Sequence, residues 1–121
     1  MLEILKKESL REAYEVCQIE YNNDTELQKL REYIKQNAYG YCDDAHYVMW
    51  REIVKLLPDN FSFVEIGVFK GQIICLITLL SERYNKNANV YGVTPMVNHG
   101  DKYSTYDDVD SHRCSVWSFI V

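Results

Sequence analysis

The stretch that most limits what this chain can fold into runs from Phe63 to Ile73, FVEIGVFKGQI. A short apolar run stops at an acid, glycines follow at 67 and 71, and Ile73, Ile74, Leu76, Ile77, Leu79 and Leu80 continue in a helical pattern. This order predicts a strand over 61–66, apolar enough to be buried on both faces, then a turn and a helix over 71–84. A polar turn at 85–89 leads into Val90-Tyr91-Gly92-Val93-Thr94, a second strand stopped by Pro95. A helix joining two such strands makes a βαβ unit, so the expected fold class is α/β with a mostly parallel sheet.

Two glycines between a strand and a helix have a chemical meaning. They permit positive φ and let a ligand approach the main chain, while the helix start offers unpaired N–H groups. Two nucleotide loops can be tested against the spacing. The pattern GxxxxGK[ST] fails, because Gly67 and Gly71 are one residue too close and Gln72-Ile73 stands where Lys-Ser/Thr is needed. The pattern GxGxxG fails because Phe69 occupies the position of its second glycine. What remains is acid-x-Gly-x-x-x-Gly at the end of a first strand.

Upstream, the pattern is helical. Leu2, Leu5, Leu10, Ala13, Tyr14 and Cys17 form the stripe of an amphipathic helix over 2–19, interrupted at Asn22-Asn23-Asp24. Asp24 or Thr25 caps a second helix that buries Leu27, Leu30 and Ile34 and stops before Gly40. Asp43 and Asp44 start a third through Tyr47, Trp50, Ile53, Val54 and Leu57, ended by Pro58. The expected organisation is a helical segment, 1–57, packed on an α/β portion, 58–121.

Composition excludes several classes. The 121 residues, 47% hydrophobic, suit one small domain. A net charge of -5 provides no basic surface for a nucleic acid. Cys17, Cys42, Cys75 and Cys114 have neither CxxC spacing nor a histidine at zinc-ligand spacing, and read as reduced thiols of a cytoplasmic protein. The N-terminus lacks a signal-peptide apolar region, and the run 73–80 is far shorter than the roughly 20 residues of a membrane span. No membrane partner is expected.

VEIGVFKGQ resembles the first motif of the class I S-adenosylmethionine-dependent methyltransferases, in the form seen in small-molecule and sugar O-methyltransferases, and VYGVTP resembles the end of their second strand. The resemblance covers about 43–95. It implies S-adenosyl-L-methionine as cofactor and a small-molecule methyl acceptor. It also implies an incomplete Rossmann-like sheet, because the later strands that carry adenine and acceptor contacts in that family have no counterpart here. By position, Glu65 would hold the methionine ammonium, Gly67 and Gly71 would admit the ligand, and the backbone of Val68, Phe69 and Lys70 would line the pocket. Thr94 falls where that family places a ribose-binding acid. A hydroxyl makes one such bond where a carboxylate makes two, a loss of about 1.5–3 kcal/mol. The chain is accordingly expected to be the N-terminal part of a methyltransferase, cut short, with little or no activity alone.

Other groups have plainer readings beside chemical ones. His99, Asp101, Asp107, Asp108, Asp110 and His112 lack the glycine and distal glutamate of a calcium loop and read as a solvated acidic loop, with no metal expected. His46 either reaches the pocket from the helix before the first strand or sits on that helix surface. Lys70 either meets a carboxylate or faces solvent, and Glu65 can also serve as a strand-end acid bonded to nearby N–H groups. The alternative to a cofactor site is a non-enzymatic interaction protein that pairs through an open sheet edge, as a homo-oligomer or with another chain.

Overall fold

The computed structural model describes residues 9–37, 40, 42–68 and 71–93. Four helices and two strands follow in the order α1 (Leu10–Asn23), α2 (Thr25–Gln36), α3 (Asp44–Leu56), β1 (Asn60–Ile66), α4 (Gln72–Arg83) and β2 (Asn87–Val93). The arrangement is α/β and mostly helical. The acidic loop with His99, Asp101, Asp107, Asp108, Asp110 and His112 lies outside the described residues.

Local capping sets the helix boundaries. Glu12 N–H donates to the Ser9 hydroxyl at 3.2 Å, Leu27 N–H to Asp24 Oδ1 at 3.0 Å, and His46 N–H to Asp43 Oδ1 at 3.2 Å. The first 1–8 of the chain, with Leu2 and Leu5, lie outside the described residues, and α1 runs on to Asn23 rather than stopping near 19. Its buried side chains are Cys17 and Tyr21, whereas Leu10 is 92% exposed. Of the expected stripe, Cys17 is buried and Ala13 half-buried, Leu10 and Tyr14 are exposed, and among the described residues the burial of α1 falls mainly on its C-terminal half. At the other end of the helical segment, Lys86 Nζ donates to the carbonyls of Lys55 and Leu57, occupying acceptors that the end of α3 leaves free.

The strands pair in parallel, from Asn60 opposite Asn87 to Ile66 opposite Val93. The second strand begins earlier than 90, because Asn85 takes positive φ (53°) and completes the reversal after α4. Beyond the last pair, Gly67 N–H donates to the Val93 carbonyl at 2.8 Å.

One face of the sheet is covered. Phe61, Phe63, Ala88 and Val90 join α3 and α4 in a core with Tyr47, Val48, Val54, Cys75, Leu76, Ile77 and Leu80, and Trp50 meets Phe63 edge to face at 5.5 Å between centroids. The expectation of a strand buried on both faces is corrected here. The burial of β1 alternates, and Val64, Ile66, Tyr91 and Val93 on the opposite face are exposed. A strand of continuous apolar character needs a layer on each side, and the described helices all pack on one.

A charged cluster ties the helices together. Arg51, with a side chain 6% exposed, donates from Nη1 to Asp24 Oδ2 (2.9 Å), from Nη2 to Glu20 Oε2 (3.0 Å) and from Nε to Glu52 Oε1 (2.8 Å). Arg83 of α4 adds two bonds to Asp24, at 3.1 and 3.0 Å. Burial opposes ionisation of Asp24, yet the hydrogen bonds from Arg83, the Leu27 N–H and Arg51 prevail and hold its pKa at about 2. Thus one carboxylate caps α2 and joins it to α3 and α4. None of the described helices is long and apolar enough to cross a membrane.

Candidate functional site

Glu65 lies one residue before the end of β1, on the face that packs against α4. Helix α4 starts at Gly71, which takes positive φ (74°) and has no side chain with which to cap. The Ile74 N–H in the first turn lowers the pKa of the Glu65 carboxylate, so it lies near enough to favour the charged form. One carboxylate oxygen stands apart. Oε2 is buried and has no hydrogen-bond partner. Two further buried polar atoms among the described residues, Arg31 Nε and Asp44 Oδ1, also lack an aligned hydrogen bond, but they lie 2.8 Å apart as an ion pair. Among the described residues, Glu65 Oε2 has no such countercharge. Burial raises the Glu65 pKa, and the Ile74 N–H only partly offsets it.

Glu65 lines a cleft of about 340 Å³, near the lower end of the roughly 300–1,000 Å³ range of small-molecule pockets. Glu65, Gly67, Gln72 and Ile73 line it from the β1–α4 turn, and Gly40, Cys42 and His46 from the helical segment. Gly67 has positive φ (82°), and a Cβ built on it would meet no atom within 4 Å. The space above the turn is therefore open, and the backbone there is accessible to a ligand.

The opposite wall is held by Gln72. Cys42 N–H donates to Gln72 Oε1 at 2.8 Å, and Gln72 Nε2 donates to the Tyr47 hydroxyl at 3.1 Å. Tyr47 is fully buried, and both its ring and that of Tyr21 lie 5.8 Å from the Arg31 guanidinium carbon. On the rim, His46 Nδ1 lies 2.9 Å from Asp43 Oδ1. An ionised carboxylate can only accept, so Nδ1 is the donor, and in the neutral ring Nε2 keeps its lone pair. Burial, followed by the carboxylates of Asp43 and Glu65, pushes the Cys42 thiol up, which makes it a poor nucleophile.

The structure thus brings Glu65 and Gly67 together at one cleft. Val68 does not line it. Its side chain is buried on the other side of the turn, where Gly92 leaves room: a Cβ on Gly92 would lie 2.9 Å from Val68 Cγ2 and 2.5 Å from Ile74 Cδ1. Gly71 ends the turn without reaching the cleft surface, and Phe69, Lys70 and Thr94 lie outside the described residues. Both readings for His46 describe it in part: it lines the cleft and is exposed on the surface of α3. Gly40, Cys42 and Gln72 line the cleft without a sequence signal that marks them as site residues. Gly40 reads locally as a helix stop, Cys42 as a plain thiol and Gln72 as a departure from a phosphate loop, and nothing within a few residues of any of them signals a pairing 30 positions apart. Among the described residues, no group of three or more His, Cys, Asp or Glu side chains is arranged to hold a metal ion.

Comparisons with protein-family models, with curated proteins and with solved structures returned no match.

Proposed function

We propose that the cleft binds the methionine end of S-adenosyl-L-methionine and that the β1–α4–β2 unit is part of a Rossmann-like methyltransferase sheet. The observation that carries this reading is Glu65, which lines an open cleft and has one carboxylate oxygen, Oε2, buried without a hydrogen-bond partner. An isolated buried negative charge is costly, and a ligand ammonium would offset that cost directly. The vacant space over Gly67 supports the same reading, because a ligand can approach the main chain there. The cofactor's own contribution, when bound, is an activated methyl group. The chain's residues would hold its amino-acid portion, Glu65 by charge and Gly67 by leaving room. The acceptor in this proposal is a small molecule.

Isothermal titration calorimetry tests it. Wild-type protein should bind S-adenosylmethionine, and Glu65→Gln should weaken binding by roughly ten- to a hundredfold, the equivalent of one hydrogen bond to a charged group. Gln is preferable to Ala because it removes the charge while keeping the size of the side chain. Absence of heat up to about 1 mM cofactor, a level that would detect any affinity of biological interest, would overturn the proposal.

One observation favours a second reading, self-association. Val64, Ile66, Tyr91 and Val93 present apolar surface on one face of a two-stranded sheet. Under that reading, sedimentation equilibrium finds a dimer that Ile66→Lys dissociates. A monomer at all concentrations rejects it.

A further inference from the structure

We infer that Gln72 is a positioning residue that clamps the backbone at Gly40 and Cys42 against the start of α4, so that the helical segment forms one wall of the cleft. Three observations converge on this side chain. It is buried, although it is a polar residue in the first turn of a helix. Both ends of its carboxamide are used across elements, Oε1 accepting from Cys42 N–H and Nε2 donating to Tyr47 on α3. Gly40 lies so close that a Cβ there would be 2.3 Å from Gln72 Oε1 and 2.8 Å from its Cβ, and its φ of 149° already disfavours a side chain.

The clamp explains how one cleft is lined from two parts of the chain. Gln72 reaches from the turn that carries Glu65 to the residues that precede α3. Through Tyr47 it also leans on the Arg31 guanidinium between the two tyrosine rings, so the wall is anchored in the helical layer. Release of the carboxamide would free Cys42 and Gly40 from α4 and open the cleft, while α4 itself, held by Cys75, Leu76, Ile77 and Leu80 in the core, would stay in place.

The cysteines supply the test. Cys42 is partly exposed at the cleft wall, whereas Cys17 and Cys75 are buried in the core. Alkylation of the full-length native protein by iodoacetamide, followed by peptide mass spectrometry, reads each thiol separately. Gln72→Leu should raise the Cys42 rate about tenfold, as expected for the loss of one ordinary hydrogen bond, with Cys75 still protected. Gln72→Glu should restore a rate near wild type, because its carboxylate still accepts from Cys42 N–H and the Tyr47 hydroxyl can donate in place of accepting. Gly40→Ala should act like Gln72→Leu without changing the glutamine, and decides the matter if Gln72→Leu fails to fold. A Cys42 rate within about twofold of wild type in both variants, too small for the loss of a hydrogen bond, would overturn the inference. So would a parallel rise at Cys42 and Cys75, which reports general opening. Only the ligand arm rests on the cofactor reading. Added S-adenosylmethionine should slow Cys42 alkylation in the wild type and not in Gln72→Leu. If it slows neither while the thiol pattern holds, the clamp stands and the cofactor reading falls.

Discussion

On Glu65, Oε2 is buried without a hydrogen-bond partner, and burial raises the pKa of the carboxyl above its ordinary value of 4.5, an effect that the nearby Ile74 N–H offsets only in part. The folded protein therefore holds more protons than the unfolded chain just above pH 4.5, and stability from this group falls as the pH rises through its folded pKa. Glu65→Gln should accordingly melt at a higher temperature than wild type at pH 7, with the difference disappearing below pH 4.5, as thermal denaturation at several pH values can check. Stability gained where binding is lost is the pattern expected when a strained group is retained for a ligand. Gly92 makes a residue-scale prediction of another kind. Gly92→Ala would press on Val68 and Ile74, and urea denaturation should show a loss of about 1–3 kcal/mol, the usual cost of overpacking.

At the scale of elements, four helices meet through a small set of charges. Asp24 ends α1, caps α2, and accepts from Arg51 of α3 and Arg83 of α4. Its side chain is 11% exposed, so solvent screens these bonds weakly. The pKa of about 2 lies below the ordinary 3.8, which means the unfolded chain takes up protons first as acid is added. Stability from Asp24 is complete above pH 3.8 and is lost as the pH falls toward 2. The amount at stake is about 2 kcal/mol, from the size of that shift. Asp24→Asn should therefore unfold at lower urea at pH 7 and show a shallower loss of stability between pH 4 and 2 than wild type. Its total cost should reach roughly 3–5 kcal/mol, because Arg51 would stay buried with one partner fewer.

At the scale of the molecule, the described residues are arranged asymmetrically about the sheet. All described helices pack on one side, and the other carries Val64, Ile66, Tyr91 and Val93. Ile66 is 83% exposed, so Ile66→Lys should change the stability of the monomer by no more than about 0.5 kcal/mol in urea, as for surface substitutions in general. A much larger loss would mean that this face is covered in solution. On the packed side, the core runs without a break from Cys17, Tyr21, Leu27 and Ile34 of the first two helices to Cys75, Leu76 and Leu80 of α4. The cleft sits where that helical layer meets the β1–α4 turn, and its shape depends on both.

The amino-acid sequence by itself determined the elements and their punctuation. Asp24 and Asp43 cap helices, Pro58 separates α3 from β1, and Gly67 and Gly71 take the positive φ that the turn between β1 and α4 requires. These features are legible because each depends on a hydrogen bond or a steric limit within three or four residues. The tertiary structure alone decided which faces are buried and which polar atoms are paired. A period of two in β1 shows that its faces differ in environment only once the helices have taken one of them, and Arg51 looks like any surface arginine until Glu20 and Asp24 reach it from 31 and 27 positions away. Likewise, Gln72 and Cys42 meet across 30 residues, and Glu65 Oε2 loses its water only when α4 and the helical layer close around it. Contacts at such separations are set by how the elements pack, and no local pattern encodes them.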